Sequence, residues 1–392
     1  MSPTELSTNL ARRQRLAFGV AIFCAVPALV SWAQNPEQFF QSYLMAYLYW
    51  LGPSLGALGF VCLHNLTGGG WGFAIRRLLE AAMRNIPLMA VLFLPLLLGG
   101  IHHLYEWSHA DVVAHDALLQ KKAPYLNVPF FQGRAVAYFA FWILCSALVL
   151  KLNARFDRQP IERLKQRIML VSGLGILGYF MSMSFAAFDW GMSLEPHWFS
   201  TIYGVLFIIG QGLTTLCLAV IVSSHLARHE PFSRWLSKDH FHDLGNLMMA
   251  FTLLWAYMSF SQFEIIWSAN LPEETPWYLN RLGDGWQGLA LFLVAFHFVL
   301  PLVVLLRRKT KRNIQFLAKV ALCMLVVRYA EIYWLIAPAF HQGGAHFHYM
   351  DVIAPLGIGA LWIGMFLRNL RGRPLVSLQD AELLNQLEAP VQ

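Results

Sequence analysis

Charged side chains are scarce in this chain. Asp, Glu, Lys and Arg make up 13% of its 392 residues, about half of what a soluble domain carries. A surface that poor in charge excludes an ordinary soluble globular protein. Cysteine is sparse as well. Cys24, Cys62, Cys145, Cys217 and Cys323 are the whole set, with no C-x-x-C spacing and no C-x-x-C-H among them. Zinc, iron–sulfur clusters and covalently held haem c therefore find no ligand motif. Single thiols inside apolar runs are expected to pack as small apolar side chains. Long polar stretches are missing too, so no separate soluble domain is expected. The sequence reads as one integral membrane domain over 1–392, ending in a polar tail at 377–392 that is expected on the cytoplasmic side.

What the chain has instead is apolar length: 57% of it is hydrophobic. The apolar residues come in blocks of about twenty, enough to cross ~30 Å of hydrocarbon at 1.5 Å per residue. The expected fold is an all-α polytopic membrane protein with ten spans: 15–34, 40–63, 85–106, 133–152, 168–189, 200–225, 245–268, 286–306, 314–337 and 351–369. The first block has a long apolar core without a small-x-small cleavage site and is followed by nine more, which argues against a cleaved signal peptide. Lys and Arg crowd every second connection. Lys151, Arg155, Arg158, Arg163, Lys165 and Arg167 fall around the 4–5 connection, and Arg307, Arg308, Lys309, Lys311 and Arg312 in the 8–9 connection. The other side holds only Lys121, Lys122, Arg134 and Arg281. The positive-inside rule then predicts both termini in the cytoplasm. It also accounts for the net charge of +7 without a nucleic-acid partner.

Two connections on the sparsely charged side resemble each other. Pro124-Tyr125-Leu126-Asn127 stands against Pro276-Trp277-Tyr278-Leu279-Asn280, and each follows a span ending in tryptophan, Trp107 or Trp267. This weak repeat suggests two four-helix bundles, spans 2–5 (about 40–190) and spans 6–9 (about 200–337), with spans 1 and 10 on the flanks. Chance likeness of aromatic interfacial loops is the bland explanation. Between spans 2 and 3, GGGWGFAIRRLLE (Gly68–Glu80) is basic and amphipathic and is expected as a helix in the cytoplasmic interface.

An ionisable group in hydrocarbon is costly, at ~2.5–3.5 kcal/mol near a helix centre, so each one needs a reason. The later spans hold most of them. Span 7 carries Gln262 and Glu264, span 8 carries His297, and span 9 carries Arg328 and Glu331. Groups that gain and lose protons, with Ser, Tyr or water between them, are what a proton route requires. Arg328 and Glu331, three apart on one helix, equally form a structural ion pair, and a lone His297 equally serves as a hydrogen-bonded core residue. His242 and Asp243 at the basic end of span 7 suit a proton entrance or a helix cap. His102, His103 and Glu106 suit a wet site or a partner surface. The group His341, His346, His348 and Asp351 is metal-like in type, but an outer-surface contact fits it better. No metal site is expected. Histidines do not pair at matching depth, so no haem b is expected.

The stretch SFAAFDWGMSLEPHWFSTIYG (Ser184–Gly204) joins spans 5 and 6 and crowds Asp189, Trp190, Glu195, His197 and Trp198 into one turn. Both tryptophans suit the headgroup level, and Ser200 or Thr201 suits a cap of span 6. A carboxylate and an imidazole under an aromatic lid suit a quinone head, a proton exit or a docking edge.

Three strings carry a family resemblance: DWGMSLEPHWFSTIYG (Asp189–Gly204), FHDLGNLMMAFTLLWAYMSFSQFEIIWSANLPEETPWYLNR (Phe241–Arg281) and KKAPYLNVPFFQGRAVAYFAFW (Lys121–Trp142). They resemble the F-type membrane subunit of bacterial alternative complex III, a quinol:cytochrome c oxidoreductase, within the wider group of NrfD- and PsrC-like integral membrane proteins. The resemblance runs from span 2 to span 9. It implies ten spans in two four-helix bundles in the bacterial inner membrane. It implies a complex that oxidises menaquinol or ubiquinol and reduces a cytochrome c or an oxidase. Its implied partners are a multihaem cytochrome c, an iron–sulfur protein and a sister NrfD-like membrane protein to which the quinol site belongs. This chain would then have no redox centre and no covalently bound cofactor, quinol remaining a possible ligand. Its role would be a proton path and structural contacts within a respiratory electron-transport chain. The expected path residues are Asp189, His297, Glu264, Arg328 and Glu331, with His242 and Asp243 as entrance. Asp189, Trp190, Glu195 and His197 are the expected outer exit or quinone lid. The alternatives are a quinol site at the periplasmic 5–6 turn, a purely structural membrane anchor, and a free-standing secondary transporter.

Overall fold

A computed structural model describes residues 3–229, 236–283, 285–341 and 343–371; the tail at 377–392 lies outside them. Ten helices are long and apolar enough to cross a membrane. Spans 1 to 5 are Thr8–Gln34, Pro36–Thr67, Ala74–Leu104, Val128–Phe156 and Glu162–Leu194. Spans 6 to 10 are Ile202–Leu226, Lys238–Ala269, Trp286–Leu306, Ile314–Ala339 and Met350–Arg371. No strand occurs among the described residues. The chain is an all-α, multi-pass membrane protein.

Most spans outrun their apolar blocks, because polar residues continue and cap the helices beyond the oil. Asn35 accepts from the backbone N–H of Gln38 at 3.1 Å ahead of Pro36 in the first turn. Asn127 accepts from Phe130 at 2.9 Å ahead of Pro129, and Asn313 accepts from Phe316 at 3.1 Å. At span 7 the cap is Ser237, with His240 answering it in a capping box. Each side chain satisfies an N–H that the first turn leaves open. Asp243 is not the cap. At span 6 neither Ser200 nor Thr201 caps by its side chain; the Ser200 hydroxyl donates to Gln262 instead.

Spans 2–5 close into one ring and spans 6–9 into a second, joined where span 2 packs against span 6. Spans 1 and 10 pair with each other and rest on span 2. Burial follows this plan: 83% of the span 2 apolar window and 78% of that of span 6 are buried, against 11% for span 1. At the joint a Cβ on Gly56 would lie 2.3 Å from the Thr215 hydroxyl and 2.5 Å from the Gln211 carbonyl. Only glycine lets the two backbones come that close.

The basic amphipathic stretch is a helix, Gly70–Met83, which overlaps the first residues of span 3 and is set off from the rest of it by a turn before Ile86. Its apolar face is not left for lipid. Ile75, Leu79, Ala82 and Met83 are buried against spans 2, 6, 7 and 10, so the helix closes one end of the bundle. Its Arg76 and Arg77 meet Glu80 and Asp157. Two spans contain a π-helical turn, Leu96–Gly100 in span 3 and Val294–Val299 in span 8. Such turns recur at functional sites, and the second carries His297.

Candidate functional site

Span 9 shows lipid Leu322 and Val326, and turns Arg328, Glu331, Ile332 and Leu335 inward. Arg328 and Glu331 are three residues apart, so they share that inward face, and their side chains are in ionic contact. The π turn of span 8 aims His297 at the same carboxylate, with Nε2 3.0 Å from Glu331 Oε2. From span 7 the Trp255 indole N–H donates to Glu331 Oε1 at 2.6 Å, and its ring lies 4.1 Å from the imidazole. The Arg328 and His297 contacts are close without being aligned as hydrogen bonds, and His297 Nδ1 has no hydrogen-bond partner. His297, Arg328 and Glu331 are each 2–3% exposed. Span 6 makes room with Gly210, where a Cβ would fall 1.9 Å from Arg328 Nη2.

A cavity of about 540 Å³ adjoins this cluster between spans 7, 8 and 9. Glu331, Trp255, Gln262 and Tyr278 supply its polar points, and Phe298 and Trp334 part of its apolar wall. Tyr257 and Phe260 line it and are exposed on the outside of the bundle, so it opens sideways, toward lipid. Gln262 accepts from Ser200 at 2.9 Å and donates to the Tyr278 hydroxyl at 3.3 Å. That links the cavity to the end of the bundle away from the basic loops.

Toward the basic loops the interior is apolar. Met248, Leu305, Leu317, Ala321 and Met324 fill the inward positions. The hydroxyls of Thr252 and Thr214 are committed to their own helices, donating to Met248 and Gly210 carbonyls. Gln211 and Thr215 are buried too, but at the joint with spans 2 and 5, where Gln211 bonds Tyr179; among the described residues of spans 7 to 9 a polar cluster returns at the basic end. There Lys311 Nζ donates to Asn246 Oδ1 at 2.6 Å, Asn246 Nδ2 lies 3.3 Å from His242 Nδ1, and His242 stands 3.7 Å from Asp243. Nine residues of helix, ~13 Å, separate Asn246 from Trp255. His242 and Asp243 are therefore not in contact with His297 and Glu331.

Asp189 belongs to the first bundle. Arg134 grips both carboxylate oxygens, Nε to Oδ2 at 2.8 Å and Nη2 to Oδ1 at 2.9 Å, and the Tyr138 hydroxyl donates at 2.8 Å. The Arg134 guanidinium lies over the Tyr125 ring at 3.8 Å. Burial, and behind it the Asp189 charge, pushes the Tyr125 hydroxyl up to about 12. Glu264 is exposed on the outer face of span 7 while Gln262 points in. Asp189 and Glu264 are thus separated from the His297–Glu331 cluster.

The 5–6 turn is a clasp between loops. Arg281, fully buried, bonds Glu195 through Nη2 at 2.5 Å and Nη1 at 3.2 Å, and lies 3.8 Å over the Trp277 ring. Trp277 stacks on Trp198 at 4.5 Å. On the other side His197 meets Asp116 at 2.6 Å, and Lys122 donates to the Pro196 carbonyl at 2.5 Å. The Leu119 N–H above all, with His197 and the Leu118 N–H, holds the Asp116 carboxyl below the usual carboxylate range. Burial pulls the Lys122 ammonium below its ordinary value. Trp190 and Trp198 are both buried in protein rather than turned outward. Trp190 lies among Phe93, Phe139 and Trp142, its ring 4.4 Å from that of Phe93. Asp189, Trp190, Glu195 and His197 thus face four different partners rather than one common space.

The two similar loops do parallel things. In each, the aromatic residue after proline (Tyr125, Trp277) carries an arginine (Arg134, Arg281) that holds a carboxylate from the 5–6 region (Asp189, Glu195). Sequence reasoning missed both arginines, counting them only as stray positive charges; the shared loop pattern was the available signal. It also missed Trp255 and Gly210, which nothing in their own neighbourhood marks. Cys62 and Cys145 come together as well, since a Cβ on Gly175 would lie 3.2 Å and 2.8 Å from their sulfurs.

Among the described residues no three His, Cys, Asp or Glu gather as metal ligands. Asp351 accepts from Ser42 at 2.7 Å and from the His348 backbone N–H at 2.9 Å, while His341 and His346 face each other. His102 lies 3.2 Å from the Ser108 hydroxyl, and His103 stacks on Phe40. Compared with known proteins, the chain matches no family model and no curated protein.

Proposed function

We propose that this chain is a membrane subunit of a quinol-oxidising respiratory complex of the bacterial inner membrane, with both termini cytoplasmic. In this reading it has no redox centre of its own; a multihaem cytochrome c and an iron–sulfur protein carry the electrons to a cytochrome c or an oxidase. The three strings that resemble the F-type membrane component of alternative complex III support the assignment to such a complex. The chain's own part is to anchor the assembly and to hold protonatable groups in the second bundle.

The observation that carries the proton role is the cluster of His297, Glu331 and Arg328. A buried imidazole with one nitrogen against a carboxylate and the other unpaired is placed to take a proton at Nδ1 and give one at Nε2. Arg328 compensates the carboxylate charge in oil, and Trp255 fixes the other oxygen. The cavity and the Gln262–Ser200 link extend this chemistry toward the end opposite the basic loops. The apolar interior on the other side favours a half-path serving one surface over a channel through the membrane.

The test is proton release by the whole complex in liposomes, per quinol oxidised. Glu331→Gln and His297→Ala are expected to lower it severalfold while the complex still assembles. Unchanged release with either variant would remove the proton role. A specific observation favours the anchor reading as second: Asp189, Glu195 and Glu331 are each held by an arginine. Loss of assembly with turnover intact in what remains would select it.

A further inference from the structure

The 4–5 connection folds into a hollow of about 480 Å³ at the basic-loop end, lined by Arg155, Arg158, Arg163 and Arg167 with Ile161 and Leu164. All four arginines are exposed. Among the described residues none of them has a carboxylate within ion-pair distance: of the two acids between them, Asp157 is taken by Arg76 and Arg77, and Glu162 is exposed and is not among the residues that line the hollow. Four guanidiniums around one concavity repel each other unless an anion sits there, and guanidinium is the side chain best matched to phosphate oxygens.

The helices that carry Arg155, Arg163 and Arg167 continue into lipid on the same faces. On span 4, Leu144 and Leu148 precede Arg155 by eleven and seven residues, close to whole turns of the helix, and both are exposed. On span 5, Leu170 and Leu174 follow Arg163 and Arg167 at helical spacing and are exposed too. Below the charged hollow there are therefore two apolar stripes running into the bilayer. We propose that this site seats an anionic phospholipid, its phosphate among the four arginines and its acyl chains along Leu144, Leu148, Leu170 and Leu174. The occupant is a lipid rather than a free anion because the charged and apolar surfaces are continuous. The positive-inside bias alone explains why arginines lie at this end, but not why four converge on one hollow that no carboxylate lines.

Native mass spectrometry of the full chain, purified in mild detergent with any partners it retains, tests this. Cardiolipin or phosphatidylglycerol is expected to bind and to survive detergent exchange, while phosphatidylcholine is not. Arg155→Gln with Arg163→Gln is expected to weaken anionic lipid binding about tenfold or more. Arg307→Gln with Arg308→Gln, the same charge loss at the same end, is expected to leave it in place. Equal weakening by the two pairs would reduce the effect to diffuse charge and overturn the site. Displacement of the lipid from the unaltered chain by millimolar inorganic phosphate would make it a free-anion site and overturn the lipid assignment. That last arm needs no variant, so a misfolded double substitution does not leave the question open.

Discussion

Arg134 and Arg328 are buried cations that make opposite use of their carboxylates. Arg134 takes both oxygens of Asp189 in a bidentate fork with Tyr138 alongside, a geometry in which the acid is locked. Arg328 touches one oxygen of Glu331 and shares it with His297, leaving an imidazole nitrogen unpaired. The locked pair is a stability element. Arg134→Ala strands Asp189 in the bundle and is expected to destabilise by about 3–5 kcal/mol, read as a large fall in thermal unfolding temperature in detergent. Replacing both partners, with Asp189→Ala added, is expected to recover part of that loss. No recovery would mean that Arg134 acts mainly through its stacking on Tyr125 and Phe130. The Arg328–Glu331 pair was legible from its spacing of three, because an α-helix puts such residues on one face. The Arg134–Asp189 pair was not, since its members are 55 residues apart and meet only when spans 4 and 5 pack.

The 5–6 turn shows how an element's role depends on its neighbours. Read alone, its carboxylates, imidazole and indoles suit a ligand lid. In place, Glu195 clasps the 7–8 connection through Arg281, and His197 clasps the 3–4 connection through Asp116. The two clasps differ in burial: Arg281 is enclosed, whereas His197 is mostly exposed. Glu195→Ala, which leaves a buried guanidinium uncompensated, is expected to destabilise by about 3 kcal/mol. His197→Ala breaks only a solvated pair and is expected to change stability little. Parallel thermal unfolding of the two variants measures the difference, and similar losses would contradict the clasp. The π turn in span 8 is another feature local sequence does not announce. It re-aims His297 by widening one turn of helix, and so decides that the imidazole meets Glu331.

Across the whole molecule, the two rings meet at spans 2 and 6, and the polar chemistry is divided between them. Asp189 sits in one ring, Glu331 in the other, and Glu264 outside both. The orientation proposed from the basic loops is checked by topology reporters. A reporter active only in the cytoplasm is expected to work when fused after Gln159 and to fail when fused after Pro272; the reverse would invert the assignment. Span number, approximate span limits and the side on which arginine accumulates were determined by the sequence alone, because the bilayer imposes length and apolarity on each helix separately. Which ionisable groups share a site was decided only by tertiary structure. Burial of a charge requires a partner, and in a bundle that partner comes from another helix at matching depth, a relation that helix packing sets and no single span contains.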